Sequence, residues 1–153
     1  ISIEQVGISL DSLDPETYAG IRIGGKLDRP LKTIQELMEY NFSRGHEDKF
    51  LICVNTLISK KTWKEIPSFY NYTRKNRIKL NPEVLMEPHE MSIWDFDDQK
   101  RNEILNFYID FNQEILNSRL LSIITNIFKS LPAKYKLQNL NRYNDLNEKL
   151  KSR

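Results

Sequence analysis

The stretch "FLICVNTLI" (50–58) constrains the fold most. Apart from Asn55, every residue in it is apolar or β-branched. Such a run suits a strand covered on both faces, as in a parallel sheet. Asn55 is then an amide inside an apolar strand. An unpartnered buried amide costs about 1–3 kcal/mol, so its partner is either a neighbouring backbone or a ligand.

Two further segments read as strands. "ISIEQVGISL" (1–10) alternates through Ile1 and Ile3, then Val6, Ile8 and Leu10. "IKLNPEVLMEP" (78–88) is β-rich but contains Pro82. Proline lacks a ladder donor, which predicts a bulge or strand end near Asn81. Helical patterns separate the strands. Asp14 reads as an N-cap with Pro15 at the first helical position, and Gly24 and Gly25 supply the stop. Leu31, Ile34, Leu37 and Met38 form one apolar stripe over about 30–40, followed by a loop, "NFSRGHED" (41–48). "TWKE" (62–65) matches a capping box that opens a helix to about Lys75.

From Trp94 the pattern is helical throughout. Residues 95–116 and 119–131 carry helical periods, and a weaker Asn- and Lys-rich helix through Leu140, Tyr143, Leu146 and Leu150 is expected to fray. The order βαβαβ predicts right-handed crossovers and a parallel layer. Three strands do not close a barrel, and they leave an edge beside the apolar strand 50–58 that needs a cover. A segment preceding Ile1 is therefore expected.

At 153 residues, 39% hydrophobic and 29% charged, the chain suits one soluble domain with a real core. No apolar stretch approaches the roughly 18 residues of a membrane helix, and no signal peptide opens the chain. A net charge of +2 argues for neither nucleic acid nor membrane. The cationic run Lys60, Lys61, Lys64, Arg74, Lys75, Arg77 and Lys79 reads as a solvated helix face. The single cysteine, Cys53, allows neither an internal disulfide nor a cysteine-cluster metal site, and a reducing cytoplasm is compatible with it.

Ligands of parallel α/β layers bind at the carboxyl ends of the strands. That rule selects 9–12, 55–59 and 83–90. Ser9 and Asp11, two apart on a strand, point to one face. Asp11 either caps the next turn or accepts from a ligand hydroxyl. Arg22 either reaches over the strand end to an anionic ligand or forms a surface ion pair with Asp11 or Asp14. His46 and His89 read as loop residues, and Trp63 and Trp94 as packing residues. No histidine–cysteine–carboxylate cluster has metal-ligand spacing. Neither G-x-S-x-G nor a phosphate-cradling glycine loop occurs.

The segment "ISLDSLDPETYAGIRIGGKLDRPLKTIQELMEY" resembles the middle of radical S-adenosylmethionine enzymes. In both, a strand ending in Ser-x-Asp leads through a polar turn and short helix to an arginine, a glycine pair and a second helix. "LICVNTLISKKTWKEIPSFYNYTRKN" resembles the next βα unit of that family, and "IKLNPEVLMEPHEMSIWDF" the strand after it, with a twitch-like extension. The resemblance covers residues 6–96.

It implies an α/β fold: three parallel strands of a partial (β/α)6 barrel over 1–96, with a helical extension over 97–153. It implies a parent enzyme that binds S-adenosylmethionine beside a [4Fe-4S] cluster and generates a 5′-deoxyadenosyl radical in the cytoplasm. Ser9 and Asp11 would meet the ribose and methionine end of the cofactor, and Arg22 its carboxylate. Asn55 would face the cofactor or substrate, and Val84 and Leu85 the adenine. The family's Cys-x-x-x-Cys-x-x-Cys motif is absent. The chain therefore reads as the second half of the barrel, inactive alone, with the N-terminal half as its partner. Two alternatives stay open. One is a cluster-less binding module that docks a partner through its helical tail, which would expose Leu121, Ile124 and Phe128 on one face. The other is a piece of another (β/α) barrel enzyme.

Overall fold

The computed structural model describes residues 3–44 and 49–152. Ile1 and His46 lie outside the described residues. Strands β1 (Gln5–Ser9), β2 (Leu51–Ile58) and β3 (Lys79–Val84) form one parallel sheet in the order β1-β2-β3. The β1–β2 register sets Gly7 beside Cys53 and Ser9 beside Asn55. The apolar strand is thus the central one, paired on both sides, and the sheet edges fall on β1 and β3 instead. Among the described residues the sheet is open, without closure into a barrel.

Six helices complete the described chain: α1 (Pro15–Ile21), α2 (Asp28–Ser43), α3 (Ile66–Lys75), α4 (Asp98–Ile115), α5 (Ser118–Ser130) and α6 (Ala133–Lys151). Asp14 caps α1, its Oδ1 accepting from the Thr17 N–H at 2.8 Å, with Pro15 in the first turn. That bond holds the Asp14 carboxyl below its ordinary pKa. α2 outlasts its apolar stripe because Asn41 anchors its last turn. The Asn41 side chain accepts from the Phe50 N–H at 3.0 Å and donates to the Phe50 carbonyl at 2.9 Å.

The chain separates into two compact units, Ile1–Glu83 and Val84–Arg153. In the first, Leu10, Tyr18, Leu27, Ile34, Val54 and Phe69 form a buried cluster, with Ile8 and Leu80 packed against it. Each large apolar side chain buried this way contributes about 1.5–3 kcal/mol. Period-two alternation sends the remaining strand side chains to the opposite face. There Leu51 and Leu57 are exposed and Asn55 half-buried. The run 50–58 is therefore covered all along one face and, on the other, only around Cys53, which is buried. Pro82 does not end its strand; β3 continues to Val84. An edge strand tolerates proline because alternate N–H groups point away from the ladder.

The second unit is a three-helix packing. Ile104, Tyr108, Ile124 and Leu146 are fully buried. Burial raises the Tyr108 phenol well above its ordinary pKa. Leu121, Ile124 and Phe128 do not make an exposed face: Ile124 is inside, and Phe128 stacks on Tyr143 at 4.3 Å between ring centroids. α6 runs unbroken to Lys151, held by Leu146 and by Asn139, which donates to Asn102 Oδ1 at 2.8 Å. Among the described residues no helix is long and apolar enough to cross a membrane.

Candidate functional site

Polar side chains gather on the face of the sheet that carries Asn55. A depression of about 300 Å³ toward the carboxyl ends of the strands is lined by Ser9, Asp11, Arg22, Asn55, Asn81 and Glu83, with Thr56 and Leu57. Four residues singled out in the sequence thus share one concavity. Val84, the last residue of β3, and Leu85, just beyond it, are not among its lining residues.

Asp11 lies two residues past β1 and is buried, at 7% exposure. Its Oδ2 accepts from Arg22 Nε at 2.6 Å. Arg22 sits at the C-terminus of α1, so the short helix α1 brings it back to the strand end. The Asp11 carboxylate raises the Arg22 pKa through this hydrogen bond and its charge. The Arg22 side chain is half exposed. Among the described residues its terminal Nη groups have no hydrogen-bond partner. The pair is therefore an ion pair through Nε whose outer Nη groups stay open.

Asn55 answers the question posed by its place in β2. Its Oδ1 accepts from Asn81 Nδ2 at 2.9 Å, across to β3. Its amide lies over Gly7, where an added Cβ would come within 2.8 Å of Asn55 Nδ2. Glycine at position 7 is required for that close approach. Asn81 Oδ1 is buried without a hydrogen-bond partner.

The β1–α1 loop is fixed from a distance by Glu65. Ser12, fully buried, donates its hydroxyl to Glu65 Oε1 and Oε2, both at 2.8 Å, and the Leu13 N–H donates to Oε2 at 2.8 Å. The capping box expected at "TWKE" does not form. Thr62 Oγ1 instead donates to the Leu57 carbonyl at 2.7 Å and accepts from the Ser59 N–H at 3.0 Å. Residues Trp63–Glu65 make a single 3-10 turn, and α3 starts at Ile66 with Pro67 in its first turn. This frees the Glu65 carboxylate to hold the loop that carries Asp11.

Asn81, Glu83 and Glu65 were not named as site residues from the sequence. The alternation Lys79, Asn81, Glu83 on the same face as Asn55 was available as a signal. Nothing local signals the partner of Glu65, because Ser12 is 53 residues away.

A [4Fe-4S] cluster does not fit this chain. Its irons take several thiolates, whereas Cys53 is the single cysteine and is 1% exposed within β2. Among the described residues no group of three His, Cys, Asp or Glu side chains is placed to hold a metal. His89 is largely exposed, its Nδ1 3.5 Å from Asp95 Oδ1.

Fold and site together define a parallel α/β layer with a polar depression at its strand ends. Over 73 residues, 48% of this chain, it is 32% identical to a probable GTP 3′,8-cyclase of Methanococcus maripaludis strain C7; the matched stretch is 22% of that protein's length. No family model matches the chain, and no solved structure matches it.

Proposed function

We propose that this chain is one wall of a radical S-adenosylmethionine enzyme, the class to which GTP 3′,8-cyclases belong. The observation that carries this reading is the convergence of Ser9, Asp11, Arg22 and Asn55 on one depression. The open Nη groups of Arg22 would take the cofactor's carboxylate, a charge-assisted contact stronger than a neutral one. Asp11 would hold the Arg22 guanidinium in place for it. Ser9 and the Asn55 amide would meet its hydroxyls. S-adenosylmethionine bound at a cluster supplies a 5′-deoxyadenosyl radical for hydrogen abstraction. The thiolates for that cluster would come from outside this chain, so the chain alone is inactive in this proposal.

Calorimetric titration with S-adenosylmethionine tests the binding role. Saturable binding is expected, weakened about tenfold or more by Arg22→Gln, the loss of one charged hydrogen-bonding group. Equal affinity in the variant, or no binding to the wild type, contradicts it.

A further inference from the structure

We infer that the amino end of the sheet carries a second binding site, for a small anion with an apolar body, of the class of medium-chain carboxylates. It shares no residue with the depression at the carboxyl ends of the strands and does not rest on the function proposed there.

The site is a groove of about 580 Å³ between the last turns of α2 and the starts of β2 and β3. Clefts of this size, with mostly apolar walls and a few polar groups, are the ordinary form of small-molecule sites. Met38, Phe42, Phe50, Leu51 and Ile78 supply the apolar wall. Phe42 is 84% exposed and Leu51 is exposed too, so part of that wall faces water. An apolar ligand body lying over them would gain the burial that the fold leaves undone.

The polar groups set the sign of the ligand's head. The amide groups of Asn41 and Asn76 donate to the backbone carbonyls of Phe50 and Tyr72, at 2.9 and 2.8 Å. Glu39 accepts from Gln35 Nε2 at 2.9 Å. Lys49 and Arg77 line the same groove, and among the described residues neither cationic group has a hydrogen-bond or ion-pair partner. The Lys49 ammonium stands 5.8 Å from the centre of the Phe42 ring. Two open cations beside one engaged carboxylate favour an anionic head.

Arg77 also sits in a strained place. α3 ends at Lys75, and Arg77 follows with a φ of 54°, in the left-handed region. Its N–H donates to the Arg74 carbonyl at 3.2 Å, and the Ile78 N–H donates to the Thr73 carbonyl at 3.0 Å. Glycine is the usual residue at this kind of helix ending, because a Cβ is strained there. Arg74 and Lys75 already put positive charge on that helix end, so the helix dipole does not require a third cation. A ligand held by the guanidinium accounts for an arginine where glycine would be unstrained.

Titration of the whole chain with decanoate, read by calorimetry and by backbone amide shifts, tests this, with decanol and inorganic phosphate as comparison probes. Decanoate is expected to bind saturably and to shift Phe42, Leu51 and Ile78. It should bind about tenfold tighter than either decanol or phosphate, the scale of one charged hydrogen-bonding contact. Arg77→Gly relieves the backbone, so it should melt no lower than the wild type while losing about tenfold in decanoate affinity. The inference is overturned if decanoate leaves these residues unmoved, or if decanol or phosphate binds as tightly. Unchanged decanoate affinity in Arg77→Gly, or a lower melting temperature, would make the arginine structural and overturn it too. Concentration-dependent self-association abolished by Phe42→Ser would put a second copy of the chain on the groove, which also overturns it.

Discussion

The sheet unit and the helical unit place their polar groups differently. In the helical unit the buried asparagines are satisfied internally, although Arg101 Nε is buried without a partner. Asn112 accepts from the Asn117 N–H and donates to its carbonyl, and Asn139 donates to Asn102. Around them Ile104, Tyr108, Ile124 and Leu146 are wholly buried. In the sheet unit, one face is packed in the same fashion. The other leaves the Arg22 Nη groups and the Glu83 carboxylate without partners among the described residues on a single depression, with Asn81 Oδ1 buried and unpartnered in its lining. The open groups of the sheet unit are the ones the proposed ligand site would use.

That contrast can be attacked at several points. The largest effect should come from the packed side. Ile124→Ala removes a fully buried side chain and should destabilise by about 2–5 kcal/mol, read as a lower urea midpoint. A cost below about 1 kcal/mol would mean the helical core is not close-packed. Next is Glu65→Ala, which strands the Leu13 N–H and leaves the buried Ser12 hydroxyl only the Asp14 carbonyl, at 3.1 Å, to donate to. It should cost about 1–3 kcal/mol and also move the Arg22 Nε–H resonance, because the loop carrying Asp11 loses its clamp. Glu65→Gln should restore part of both. A stability loss with an unmoved Arg22 resonance would make Glu65 structural only.

The smallest effect is at Asp14. Its folded pKa is depressed by the Thr17 N–H bond. The stability it contributes is therefore present above its unfolded value of about 4 and lost as pH falls through the lower folded value. Asn caps helices as well as Asp does. Asp14→Asn should keep α1 but flatten part of the acid limb of a melting-temperature profile; an unchanged acid limb would contradict this.

Local chemistry made much of the molecule legible in the sequence. Asp14 and Pro15 announce the start of α1, and the apolar run at 50–58 announces the central strand. Asp11 and Arg22 were readable as a pair or as ligand contacts, and the geometry shows the pair, at the edge of the depression. What the sequence hid is non-local. Glu65 mimics a local cap but bonds across 53 residues. Pro82 looked like a strand break because the edge position of β3 is a property of the sheet, not of the segment. Asn81 gains its meaning only when β2 and β3 lie side by side and its amide meets Asn55.

The central claim is that the unfinished face of the sheet is one wall of an S-adenosylmethionine site. Residue-resolved spectra of the ¹⁵N-labelled chain during titration with S-adenosylmethionine test it most directly. Saturable shifts at Ser9, Asp11, Asn55 and the Arg22 Nε–H, on one common binding curve, are the predicted result. Shifts confined to residues of α4–α6, or no response at Arg22 and Asn55 at saturating ligand, would contradict it.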